Sequence, residues 1–531
     1  MSLPRANINM KQLVFSAAVY VVTLVSGFAE AGTYSNPAIA GDFPDPSIIR
    51  VGKDYWATAT SSEWSPQFPI LHSTDLVNWE IEGAVFSHRP TWATGNFWAP
   101  EITKYNGRYY VYYVGRKRGG PLSVAVATAD RPQGPYTDHG PLVSQAMGSI
   151  DPVISKDEKG DLYLIWKEDG NSQRKPCVIW AQRLDDSGTK LLGQPKEILR
   201  NDVPWEGAVI EGPFIVRRSE YFYMFYSGNG CCGMNCNYAL GVARARSLLG
   251  PWEKNPGNPI LAGNGDWKCP GHGSIVNDES GRYWLLYHAY DAKSFVFTGR
   301  EALLDEVKFT DDGWAQINNG RGPSREALAP TGRPDRHAQL TYVDHFRGFS
   351  LQPGWNWPVS DDPPASVSNG KLVLTGVPAQ GTNLMGGVVG RSIPIGDFVA
   401  TTTLTRSSIE PGVIAGLAAL GDRANSTGVG LVDGQIIVWN RSANKQETLT
   451  QVDAPKGRKL HFRITAERGR QYQFAYSTNG KNWNDLSNTS GTHLPPWDRA
   501  IRVGLTVGGI KGAEARFDDF TLGPRRDSEE K

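Results

Sequence analysis

Three carboxylates stand out by their surroundings. Glu211 lies in the run Trp205-Glu206-Gly207-Ala208-Val209-Ile210-Glu211-Gly212-Pro213-Phe214, followed by Ile215 and Val216. Apolar neighbours make a carboxylate costly to ionise, which predicts a raised pKa. A raised pKa suits a general acid near neutral pH. Asp45 lies between Pro44 and Pro46, which fix the backbone and remove amide donors. Asp151 is likewise followed by Pro152. A single Asp-Pro pair marks a turn; three such sites in successive repeats of one chain point to acid–base chemistry at a shared place. Glu206, five residues before Glu211, competes for the role of acid, but the apolar run and the following Gly-Pro favour Glu211.

The elements that would bring these residues together repeat. Motifs at Phe43-Pro44-Asp45-Pro46-Ser47, Phe97-Trp98-Ala99-Pro100-Glu101, Ser149-Ile150-Asp151-Pro152-Val153, Ile210-Glu211-Gly212-Pro213 and Pro270-Gly271-His272-Gly273-Ser274 recur about every 50 to 60 residues. Each is followed by a turn and an aromatic strand, such as Arg108 to Tyr113 or Tyr221 to Tyr226. Five such repeats read as a five-bladed β-propeller. Its inner strands face one axis, so Asp45, Asp151 and Glu211 would meet there at equivalent positions, with Glu101 at the second repeat's inner position, on the rim. From Val343 onward short alternating strands separated by turns read as an antiparallel, concanavalin-like β-sandwich. The expected organisation is a signal peptide over 1–31, the propeller over 32–330, a linker over 331–342 and the sandwich over 343–525. The fold class is therefore all-β.

Composition narrows the remaining choices. A chain of 531 residues is too long for one ordinary core. Its formal net charge of +1 gives no electrostatic footprint for nucleic acid or for anionic membranes. Arg5 and Lys11, the apolar Leu13 to Val25 and Ala29-Glu30-Ala31 have the order of an export signal, so the protein is expected to be secreted or periplasmic. Of the five cysteines, Cys177, Cys231, Cys232, Cys236 and Cys269, the odd count leaves one thiol over. The 231–236 cluster lacks a second ligand pair at zinc spacing, so a loop-stapling disulfide is expected there.

The motifs at Asp45, Trp98 to Glu101, Asp151, Glu211 and His272, with Gly299-Arg300-Glu301, resemble glycoside hydrolase family 43 in order and spacing over residues 35 to about 325. Asp344-His345-Phe346 and Gly354-Trp355-Asn356-Trp357-Pro358 resemble the β-sandwich that follows in one branch. The resemblance implies a glycosidase that removes β-D-xylosyl or α-L-arabinofuranosyl residues from plant cell-wall polysaccharide fragments with inversion. It implies Asp45 as general base, Glu211 as general acid and Asp151 as the group that orients Glu211 and raises its pKa. An inverting pair needs carboxyls about 6.5–9.5 Å apart. Arg300 is expected near the acid, and Trp98 and Trp64 as walls against a sugar face. His272 is expected to contact a calcium ion through water in the axial channel. No cofactor is expected to be needed for the chemistry. Two other readings remain: an endo-acting arabinanase, and a sugar-binding propeller without catalysis.

Overall fold

The computed structural model of the protein describes residues 1–2, 32–330, 340–361, 365–376, 386–510 and 512–525. Nearly all of the expected signal peptide and most of the expected linker lie outside the described residues. Among the described residues the fold is all-β, and its helical elements are short 3-10 turns. No helix among them is long and apolar enough to cross a membrane.

Five four-stranded antiparallel sheets follow one another along the chain. The first holds Ser47–Val51, Asp54–Thr58, Gln67–Ser73 and Glu80–Phe86. The second begins with Trp98–Tyr105, the third with Ser149–Lys156, the fourth with Ile210–Arg218 and the fifth with Trp267–Asn277. These first strands neighbour one another in cyclic order, and the fifth lies against the first.

The faces of the sheets stack in the same order. Val111 and Tyr113 of the second sheet pack on Phe68 and Ile70 of the first. Tyr110 and Tyr112, one residue away, pack on Leu162 and Leu164 of the third. One strand therefore serves two cores, which is why it reads as an unbroken aromatic run rather than an alternation. Equivalent cores join the third to the fourth sheet, the fourth to the fifth, and the fifth to the first. Thr33–Ser35 pairs with Glu326–Leu328, so the start of the described chain fastens to the end of the ring.

The rest of the chain forms an eight-stranded and a six-stranded antiparallel sheet. A core that includes Phe346, Trp355, Leu417, Val438, Phe462 and Leu505 fills the space between them. The outer face of the six-stranded sheet is covered too. Ile414, Ala418, Leu420 and Trp439 pack on Trp64, which precedes the third strand of the first ring sheet. Trp357–Pro358 pairs with Trp64–Ser65 at the same place. Trp64 is 3% exposed, so it is part of the packing between ring and sandwich, not the expected wall for a sugar. Tyr342–Asp344, at the end of the expected linker, pairs with Glu514–Pro524 and so belongs to the sandwich sheet.

Candidate active site

A backbone irregularity recurs at the start of every inner strand. Asp45, Ala99, Asp151, Gly212 and His272 all have positive φ, from 35° to 57°. In the second to fifth sheets the residue sits in a register shift of the strand pair. A bulge of this kind re-aims a side chain and ends regular pairing. A non-glycine residue in the left-handed region costs on the order of 1 kcal/mol. The prolines that follow four of these residues mark the same register. Glu211 stands one place before its bulge residue, so it is not the positional equivalent of Asp45 and Asp151. Ala99, not Glu101, is their equivalent in the second sheet. Gly212 has a steric reason to be glycine: a Cβ there would lie 2.8 Å from the His272 ring.

Asp45 is held from several sides. Its Oδ1 lies 2.9 Å from Arg300 Nη1, 3.1 Å from His288 Nδ1 and 3.5 Å from His272 Nδ1. Its Oδ2 accepts a 2.7 Å hydrogen bond from the Thr60 hydroxyl. Burial alone would raise this carboxyl. Arg300, His272 and His288 together outweigh burial and hold it far below the usual carboxylate range. Burial lowers His288 to about 4, so it is a neutral partner and Arg300 supplies the charge. The expectation that Arg300 sits by the acid is therefore corrected: it is buried at the Asp45 end of the site.

The sandwich takes part in this end. Arg300 Nη2 donates to the Asp498 carbonyl at 3.0 Å. Asp42, three residues before Asp45, accepts from the Arg300 main chain, from the Ala500 main chain and from Arg502 Nη1.

Glu211 has a different setting. Its Oε2 lies 2.7 Å from Lys167 Nζ, and its Oε1 accepts from the Tyr238 hydroxyl at 2.8 Å. The Lys167 side chain is 1% exposed and also reaches Asp169 Oδ1 at 3.0 Å. Burial pushes the Glu211 carboxyl up, as the apolar sequence suggested. The Lys167 ammonium, the Tyr238 hydroxyl and His272 pull it down further, and the net direction is below the ordinary glutamate value. The expected raised pKa is thus reversed. The apolar side chains of the strand pack away from Glu211, whose own side chain meets a lysine of the neighbouring sheet. The Glu211 charge acts on Asp151. Its Oδ2 accepts from the Gly212 main-chain N–H at 2.9 Å and lies 3.9 Å from His272 Nδ1. Burial pushes Asp151 up to about 6, against the pull of His272 and with the push of the Glu211 charge.

His272 is therefore the hub that Asp45 and Asp151 share, with Glu211 within its electrostatic reach. Among the described residues no three His, Cys, Asp or Glu side chains converge to hold a metal ion. The Asp45 oxygens are already taken by Arg300, His288 and Thr60, so these residues do not form a cage for a hard cation.

The other candidates lie at the edges. Glu206 is buried in a separate brace, bonded to Tyr226 and Lys254. Glu101 is half-buried, and burial pushes it up to about 8. Trp98 is half-buried and meets Trp497 of the sandwich edge-on, with ring centres 6.0 Å apart. Trp497 is 62% exposed. The cysteine loop is stapled by Cys236–Cys269, as expected of a disulfide there, and adjacent Cys231 and Cys232 also bond to each other. Cys177 is the leftover thiol, and it is buried.

Lys167, Tyr238, His288 and Thr60 escaped the sequence reading. Lys167 carries a faint signal, being the one charge inside the apolar strand Leu162–Glu168 before its last residue.

The sequence profile described as Glycosyl hydrolases family 43 matches residues 34–315. The chain belongs to this family. A second profile, Beta xylosidase C-terminal Concanavalin A-like domain, matches residues 343–508. Among curated members, Xylosidase/arabinosidase 43B of Humicola insolens is 28% identical over 92% of this chain and 97% of its own length. Xylan 1,3-beta-xylosidase of a Vibrio species is 29% identical over 56% of this chain, which covers 60% of that protein. The crystal structure of the family 43 protein BlXynB from Bacillus licheniformis superposes with a TM-score of 0.80 at 26% identity, covering 93% of this chain and all of that one. Family membership makes the protein a glycoside hydrolase.

Proposed function

We propose that this family 43 protein is an inverting exo-glycosidase that removes terminal β-D-xylosyl or α-L-arabinofuranosyl residues from hemicellulose fragments. The observation that carries the reading is the pairing of two unlike carboxylates across His272. Asp45 is locked as an anion, and Glu211 acts through its charge on an Asp151 that keeps a proton into the mildly acidic range. The five stacked sheets are the blades of a propeller over residues 32–330, and the sandwich over 343–525 closes one side of the site through Trp497 and Asp498. Export to the periplasm or medium would place the enzyme with its polymeric substrate.

Asp45 accepts a proton from water as that water attacks the anomeric carbon. Glu211 gives a proton to the departing glycosidic oxygen as the carbon–oxygen bond breaks. Asp151 and Glu211 repel one another as anions, so they retain one proton between them at mildly acidic pH. Arg300 keeps Asp45 ionised, and Asp151 fixes the Glu211 segment through the Gly212 amide. Xylose and arabinofuranose present nearly the same hydroxyls to one pocket, so activity on aryl glycosides of both is expected. Rates on the two aryl glycosides and viscosity of arabinan and xylan during digestion test the reading. Release of single sugars without a fall in viscosity is expected, and a rapid fall would replace exo with endo action.

A further inference from the structure

Lys167 is the buried cation that the proposed chemistry leaves without a role. It comes from the second strand of the third sheet, while Glu211 comes from the first strand of the fourth. Its ammonium is divided between two carboxylates, Glu211 at 2.7 Å and Asp169 at 3.0 Å. A buried ammonium is expensive unless paired. A plain structural brace would not need to end on the one carboxylate that must carry a proton. Tyr238 fixes the other Glu211 oxygen. The carboxyl is thus oriented at both atoms, and each contact favours its ionised form.

We propose that Lys167 is a positioning residue for Glu211, setting its orientation and the pH at which it surrenders its proton, with Asp169 as a counterweight that tempers the lysine. This rests on Glu211 being the general acid. The groups facing Lys167 are Glu211, Asp169, Asp151 and the Cys177 thiol. Those facing Glu211 are Lys167, Tyr238, His272 and Asp151. Asp169 belongs to none of the reacting groups. Removing its charge leaves the full ammonium on Glu211, and removing the ammonium leaves the buried Glu211 without its largest stabilising partner. The two changes must therefore act in opposite directions.

The experiment is the pH dependence of kcat/KM on an aryl glycoside, measured for the full chain and its variants. The alkaline limb reports loss of the proton from the acid. Lys167→Met should move that limb to higher pH by about 1 to 3 units, because the carboxyl then keeps its proton longer. Lys167→Arg should leave the limb in place while lowering kcat. Asp169→Asn should move the limb to lower pH, and this variant carries the test if Lys167→Met does not fold. A uniform loss of activity at every pH with the limb unmoved, or shifts of the same sign in both variants, would overturn the proposal. Glu211→Gln is run in parallel. If it kept full turnover, the assignment of the acid would itself fall, a result distinct from an unmoved limb in an enzyme whose Glu211 is essential.

Discussion

The two ends of the site solve opposite problems with the same residue class. At the Asp45 end a carboxylate meets a guanidinium, two imidazoles and a hydroxyl, and the clamp reaches into the sandwich through Asp498 and Asp42. At the Glu211 end one ammonium and one phenol suffice, and all partners come from the ring. The first arrangement keeps Asp45 ionised throughout the working range. The second leaves a carboxyl pair in which burial and an ammonium oppose one another. On the proposed roles, base and acid are set apart by the number and charge of their partners, not by burial alone.

The comparison breaks most sharply by substitution. Asp45→Asn and Glu211→Gln should each lower kcat/KM by about 10²–10⁴-fold. The two should differ on substrates with good leaving groups. An activated aryl glycoside needs little protonation, so Glu211→Gln recovers part of its rate there and Asp45→Asn does not. A series of aryl leaving groups of graded acidity measures this.

Arg300→Ala tests the clamp itself. It leaves Asp45 buried with two imidazoles and the Thr60 hydroxyl but no guanidinium, so the carboxyl should rise. A base works only when deprotonated, so the acidic limb of kcat/KM should move to higher pH, opposite to an effect on the acid. Loss of one partner from a buried pair should also cost about 3–5 kcal/mol of stability, read by denaturant unfolding.

The unsubstituted enzyme should itself be asymmetric in pH. Asp151 loses its proton near pH 6, so above that pH the Asp151 and Glu211 carboxyls together hold less than one proton and kcat/KM should fall. Below it the activity should hold down to the acid stability limit, because Asp45 stays ionised.

Glu206→Gln is the smallest effect. It breaks the contact with Lys254 but touches neither end of the site. Lys254 keeps Asp202, so stability should fall by only about 1 kcal/mol while both limbs of the pH profile stay in place.

How much of this could be read from the residues differs between the two regions. The ring's motifs were legible because each inner strand carries the same left-handed residue near its start, often followed by a proline. The one-place offset of Glu211 was not, since only the backbone reveals which residue turns. In the sandwich, Lys459–Glu467 alternates in burial as it does in sequence. Ile414–Leu420, Ser426–Val432 and Arg502–Gly508 are buried almost throughout and rich in alanine and glycine, so they show no alternation. Their glycines answer to close backbone approach: a Cβ at Gly416 would lie 2.0 Å from the Val429 carbonyl. Trp64 looked like a rim aromatic because nothing in the chain shows that a sheet some 350 residues later covers it. The sign of the Glu211 shift was missed for the same reason, since Lys167 comes from another sheet, 44 residues earlier.

The most direct measurement is the configuration of the first sugar released, followed by proton NMR during the opening minutes of hydrolysis of an aryl β-D-xyloside. If Asp45 activates water on the face opposite Glu211, the α anomer appears first and the β anomer grows in only by mutarotation. Initial appearance of the β anomer would mean a covalent intermediate, and the assignment of Asp45 as base would be wrong.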